Sequence, residues 1–139
     1  MMKKIFILLI LSISITGCDV LGSFTFKVKN STQETITLKF LNDVSSGASH
    51  GKDVNKKEIV LRPTEEKTVR VLDAQLNARA HDCLTDHGIA YFKELVFDTY
   101  VNDEKLEKQL WQAENWTYQK KSEWLAEYNM TITNEMIGK

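Results

Sequence analysis

Cysteine, proline and any excess of one charge are scarce in this chain of 139 residues, which has two cysteines, one proline and 18 Lys+Arg against 19 Asp+Glu. A balance this even, with no basic block, lacks the electrostatic footprint of a nucleic-acid binder. Cys18 and Cys83 alone cannot supply a disulfide framework. No apolar run approaches the roughly 20 residues that a transmembrane helix needs, and there is no internal repeat or low-complexity tract. Gly-rich phosphate loops, serine elbows and HExxH patterns are missing as well. What remains, at 42% apolar and 9% aromatic residues, is the composition of an ordinary folded domain rather than a disordered chain.

The amino terminus carries the most specific signal. Met1-Met2-Lys3-Lys4 is a positive n-region, and Ile5 to Ile15 is an apolar run of eleven residues interrupted only by Ser12 and Ser14. Eleven residues are too short to span the hydrocarbon and fit the core of an export signal. The run ends in Ile15-Thr16-Gly17-Cys18, which resembles the lipobox of bacterial lipoproteins. The resemblance implies cleavage between Gly17 and Cys18, a diacylglycerol on the Cys18 sulfur, and acylation, for example with palmitate, of the new amino terminus. Two or three acyl chains anchor a protein stably, where a single chain is marginal. Asp19 resembles the residue that retains lipoproteins in the inner membrane of enterobacteria-like cells, a rule other lineages do not follow. The expected address is therefore the bacterial cell envelope, with inner and outer membrane both open. Without the first 17 residues, which hold Lys3 and Lys4 and no acid, 122 residues remain with 16 basic and 19 acidic groups. The division expected is a signal peptide over 1–17, a lipidated cysteine and short tether over 18–22, and one domain over 23–139.

From Ser23 onward the dominant period is two. Phe24, Phe26 and Val28 alternate with polar residues, as do Ile36, Leu38 and Phe40, with turn-forming Asn30-Ser31-Thr32-Gln33 between them, so the pair reads as an antiparallel hairpin. Ile59 and Leu61, then Val69 and Val71, read as a second hairpin turning at Arg62-Pro63-Thr64-Glu65. Asn42 to Asn55 is the longest evident loop. A strand from Phe92 to Val101 and a closing strand with Trp124, Ala126, Tyr128, Met130 and Ile132 on its inward face complete the pattern. Residues 103–115 could form a helix, but a hairpin turning at Asn102-Asp103 with Leu106 to Trp111 returning fits the all-β context better. A short helix over 74–86, with Asp73 as its N-cap, fits that stretch. The fold class expected is an all-β, antiparallel two-sheet sandwich, immunoglobulin-like or transthyretin-like, without the cysteine pair that pins immunoglobulin sheets. Lys29-Asn30-Ser31-Thr32 and Tyr128 to Thr133 resemble the matching stretches of small uncharacterised lipoproteins of Bacteroides-type bacteria, and that resemblance implies no activity.

Three candidate chemistries follow. If the segment around 81–87 is helical, Cys83 and His87 share a face at i and i+4, and with His81 they form a candidate zinc set, although the paired spacing of closed sites is missing. Cys83 otherwise reads as a small buried apolar residue. Trp111, Trp116 and Tyr118 could offer stacking platforms for sugar rings, against a competing use in core packing. The sequons at Asn30, Asn115 and Asn129 are accidents of an Asn- and Thr-rich chain. The function expected is a membrane-anchored binding module for an envelope protein or glycan, with no cofactor beyond its lipid. The alternative is a metal-dependent protein or enzyme built around His81, Cys83 and His87.

Overall fold

A computed structural model describes residues 19–43, 56–77 and 93–139. The period-two segments form eight strands: β1 (Asp19–Asn30), β2 (Ile36–Phe40), β3 (Glu58–Leu61), β4 (Glu66–Asn77), β5 (Phe97–Val101), β6 (Glu104–Lys105), β7 (Thr117–Lys120) and β8 (Leu125–Ile132). They build two four-stranded sheets, β4-β1-β8-β7 and β3-β2-β5-β6. The alternating apolar residues meet between the sheets, where Phe24, Phe26, Val28, Ile36, Leu38, Phe40, Ile59 and Leu61 are buried. Tyr128 lies at the aromatic centre, stacked on Phe26 at 5.2 Å between ring centroids and in contact with Tyr118 at 5.3 Å. The fold is thus an all-β two-sheet sandwich.

Strand pairing departs from the sequence expectation in a consistent way. β1 and β2 do not form a hairpin, and neither do β3 and β4, because the members of each pair lie in different sheets. Two strands with one apolar face each can sit side by side or face each other across a core, and their period-two pattern is the same in both cases. Nor are the sheets wholly antiparallel, since β1 runs parallel to β8 from Ser23↔Leu125 to Asn30↔Ile132 while its other neighbour, β4, is antiparallel.

The β1·β4 register shifts between Phe26 and Lys27, so Phe26 pairs with Arg70 and Lys27 with Thr68. Val69 is the additional residue of this bulge, and the slip sends Val69 and Val71 to different faces. Val69 joins the core, whereas Val71 pairs with outward Thr25. Arg70 opposes inward Phe26.

The helix expected over 74–86 does not begin there: Ala74 to Asn77 continue β4, paired with Gly22 back to Asp19, and 78–86 lie outside the described residues. Backbone pairing with β1 outweighs local helix preference in these residues. The same register places Asp19–Gly22, the stretch expected to be a short tether with Cys18, in β1.

At the hairpin between β5 and β6, Asn102 and Asp103 have φ of 46° and 71°, the left-handed pair that a two-residue type I′ turn requires. Residues 103–115 contain no α-helix, but the returning strand is only Glu104–Lys105 and not Leu106 to Trp111. Leu106 N–H still donates to Thr99 at 2.8 Å, after which the chain turns to bury Leu110. At the other end of the fifth strand, Lys93–Leu95 is a 3₁₀ turn, so the strand begins at Phe97.

Two of the sheet-to-sheet crossings, β1 to β2 and β3 to β4, meet at Asn30, which is fully buried. Its Nδ2 donates to the carbonyls of Glu34 at 2.8 Å, Leu61 at 3.2 Å and Arg62 at 3.0 Å. Its Oδ1 accepts from Thr32 N at 3.0 Å and Thr32 Oγ1 at 2.8 Å. The Asn30 N–H donates to Glu65 and the Ser31 N–H to Ile132, so one side chain and its backbone join the β1–β2 link, the β3–β4 turn and the end of β8. Asn30→Ala should cost about 2–4 kcal/mol, because it strands several buried backbone groups. Asn30→Asp should be worse at neutral pH, since it turns a carboxylate toward three carbonyl oxygens. Burial would raise that carboxyl's pKa, so its penalty should shrink in acid and return as pH rises. Urea midpoints at neutral and acid pH measure this, and equal midpoints for wild type and Asn30→Asp at neutral pH would remove Asn30 from this role.

Candidate functional site

Gly17 and Cys18 lie outside the described residues, as do His81, Cys83 and His87. Among the described residues, no group of three or more His, Cys, Asp or Glu gathers as metal ligands would. The three aromatic candidates are half-buried against the core. Trp116 meets Phe26 edge-on at 6.0 Å and donates its Nε1–H to the Trp111 carbonyl at 3.1 Å, and Tyr118 tilts against Tyr128. Trp111, Trp116 and Tyr118 therefore close one side of the sandwich, with each side chain partly exposed.

The feature that sequence reasoning missed is Trp124. It was expected on the inward face of the last strand but is 42% exposed, one residue before β8 begins. The β7–β8 connection is closed by Lys121 N–H and Ser122 N–H, both donating to the Leu125 carbonyl at 2.9 and 3.1 Å. The Trp124 carbonyl accepts from Ser23 N–H at 2.9 Å, and its own N–H donates to Ser122 Oγ. This leaves the backbone fixed and the indole outside. The polar run Lys120-Lys121-Ser122-Glu123 was the available signal that Trp124 belongs to a turn.

Trp124 lies at the end of the sandwich where β1 enters. Because β1 and β8 are parallel with Ser23 opposite Leu125, the start of each strand is at this pole, and their ends, Asn30 and Ile132, are at the other. The chain order places the end of β2 here too, with Leu41 held by its N–H to the Val96 carbonyl at 3.0 Å. Leu41 is 56% and Leu125 36% exposed. Among the described residues, β1 and β4 project further, as a two-stranded ribbon ending at Asp19↔Asn77. The residue that precedes it in the sequence is Cys18.

Several of the described ionisable groups engage each other. Outside the β3-β2-β5-β6 sheet, Glu58 meets Lys39 at 3.4 Å, Lys39 lies 4.7 Å over the Tyr100 ring, and Asp98 meets Lys105 at 2.8 Å. On the other sheet Glu127 lies between Lys27 at 2.7 Å and Lys121 at 3.2 Å. Lys27 foremost, with Lys121, holds its carboxyl below the ordinary range against the opposing pull of desolvation. At the far pole, Glu34 is held down by hydrogen bonds from Lys139 and Asn102, and Glu65 by the Arg62 N–H and then Lys67. A groove of about 700 Å³ runs between the open edges of β3 and β4, lined in part by Ile59, Val60 and Glu66. Lys67 Nζ reaches across to the Val60 carbonyl at 2.7 Å, so a charged side chain occupies an acceptor on an otherwise open strand edge.

Arg70 is the largest buried side chain, at 1% exposure. Its Cζ lies 3.5 Å from the centre of the Phe40 ring. Its Nη1 donates to the Lys56 carbonyl at 2.6 Å and the Val69 carbonyl at 3.2 Å, while its buried Nε has no partner among the described residues. Burial pushes its pKa down to about 10, partly offset by Asp43.

Two predictions follow from these charges. Glu34, Glu65 and Glu127 all titrate below the ordinary carboxylate value of 4.5 when folded, so the unfolded chain binds more protons as pH falls through that range and stability is lost on acidification. Glu127→Gln should lower the urea midpoint at neutral pH and flatten its decline between about pH 6 and pH 3, and an unchanged slope would count against the Lys27–Glu127–Lys121 contacts as a source. Arg70→Met should leave stability within about 1 kcal/mol or raise it, since an apolar chain of similar length removes the desolvation cost. Arg70→Ala should cost roughly 2–4 kcal/mol through the cavity it leaves, and a less stable Met than Ala variant would reverse this reading.

No family model, no curated protein and no solved structure matches the chain, so its functional reading rests on its own residues and their geometry.

Proposed function

We propose that the protein is a lipid-anchored binding module of the bacterial cell envelope, made with a cleaved leader over 1–17 and carrying acyl chains on Cys18. The observation that carries this reading is the succession of Lys3-Lys4, the apolar run from Ile5 to Ile15, and Ile15-Thr16-Gly17-Cys18, followed by the first strand at Asp19. A lipid on Cys18 would be attached directly to a strand that runs the length of the sandwich between β4 and β8. The anchor would then hold the folded domain close to the bilayer.

The surface offered to a protein or glycan partner is the opposite pole. There the links Ser31–Thr35 and Arg62–Glu65, the Asn102–Asp103 turn and the residues after Ile132 converge around Asn30 and Glu34. Loops held at one end of a rigid sandwich suit binding, because their backbone is ordered before the partner arrives. Glu34 and Glu65 at this pole, and Glu58, Asp98 and Glu127 on the sheet faces, make ion pairs and turn contacts, which supports binding over catalysis as their use.

The experiment is substitution of the anchor residue. Wild type should incorporate a palmitate analogue and fractionate with membranes. Cys18→Ser should lose the label, retain its leader and migrate differently. A Cys18→Ser protein that remains anchored with unchanged mobility would overturn the proposal.

A further inference from the structure

Resting on that anchored reading, we infer that the pole bearing Leu41, Trp124 and Leu125 is a bilayer-contact surface, so that the domain reclines on the membrane instead of standing away from it. Among the described residues four large hydrophobic side chains are exposed, and three of them are these. They come from both sheets and gather at the pole from which the chain runs back to Cys18. The fourth, Val60, lies on the β3 edge.

The reach of the ribbon frames the choice between two arrangements. Five residue steps separate Cys18 from Ser23, at most about 17 Å of extended chain. The headgroup layer on each side of a bilayer is about 5–8 Å thick. An upright ribbon would lift Trp124 into water, whereas an inclined one brings it to the headgroups. Tryptophan is the side chain best suited to that boundary, with a large apolar body and one N–H donor. The turn that presents it is fixed by the backbone hydrogen bonds around Leu125 and Ser23, so little ordering is needed on contact. The described charges of this pole are mixed, with Lys56, Lys57, Lys120 and Lys121 beside Asp43, Glu94 and Glu123. Contact therefore comes from apolar insertion and not from attraction to anionic lipid, and it should persist in high salt.

The test uses the full lipidated protein reconstituted into phosphatidylcholine vesicles, with and without bromine on the acyl chains. Brominated lipid should quench part of the tryptophan emission, at low and at high salt. That quenching should vanish in Trp124→Phe, because Trp111 and Trp116 are packed against the core. Trp124 is exposed, so its replacement should leave the thermal midpoint unchanged and the comparison clean. Equal quenching in wild type and Trp124→Phe, or none in either, overturns the inclined arrangement while leaving the anchor intact. Continued anchoring of Cys18→Ser instead overturns the anchored reading itself, so the two failures are distinct. Quenching abolished by salt would also overturn the inference, by assigning the contact to charge.

Discussion

Everything else in this sandwich depends on where the buried side chain of Asn30 sends its hydrogen bonds. A chain that leaves one sheet and enters another must turn through the end of the core, where backbone groups lose both ladder partners and water. Two such crossings occur at the same pole, and the carboxamide, with donors on one side and an acceptor on the other, serves both. It takes the carbonyls of Glu34, Leu61 and Arg62 and gives an acceptor to Thr32. Few other side chains combine those functions in so small a volume. With these groups satisfied, β1 and β2 can lie on opposite sides of the core, and Phe24, Phe26 and Val28 can face Ile36, Leu38 and Phe40. Thr64, a β-branched residue at φ 64°, is held in the adjacent turn, a strained conformation that its surroundings must over-determine.

This explains which parts of the fold were legible in the sequence. Periodicity specifies the face a residue occupies, and for β1, β2, β3 and most of β8 the faces were readable directly. It does not specify the neighbour, because hairpin and sheet-crossing partners bury the same side chains. Val69 and Val71 show a second limit: with one bulge between them, a pattern of simple alternation ends on two faces. Trp124 shows a third, since a large aromatic beside an alternating strand reads as core until the turn hydrogen bonds at Leu125 show where the strand starts. Asn102-Asp103 was readable because a type I′ turn has its own residue chemistry, independent of tertiary context.

The candidate site divides along similar lines. The proposal for Cys18 rests on a local signal, a short motif at a fixed distance from an apolar run, which needs no fold to be read. Trp111, Trp116 and Tyr118 were ambiguous because the same aromatics serve a platform or a core, and only the fold shows that they pack against neighbours such as Phe26 and Tyr128. Arg70 was not legible at all. Nothing in Lys67-Thr68-Val69-Arg70-Val71 announces that a bulge will aim the arginine at Phe40 and bury it.

The two poles are energetically unlike, and the difference follows from β1. At the Asn30 end the buried Asn30 and Thr32 are hydrogen-bonded and the carboxylates of Glu34 and Glu65 are ion-paired, which is what a rigid end requires. At the opposite end the structure keeps features that stability alone would not select: an indole in solvent and two exposed leucines. Inside the core, on the neighbouring strands, it also keeps a buried guanidinium with one nitrogen unpartnered among the described residues. Deviations of this kind concentrate where a surface serves something other than folding. Because β1 joins the poles as one strand from Asp19 to Asn30, hydrogen-bonded along its length to β4 and over most of it to β8, force or orientation applied at its first residue passes to the rigid pole without a hinge. An anchor at Cys18 would therefore fix how the Asn30 pole is presented as well as how far from the membrane it stands.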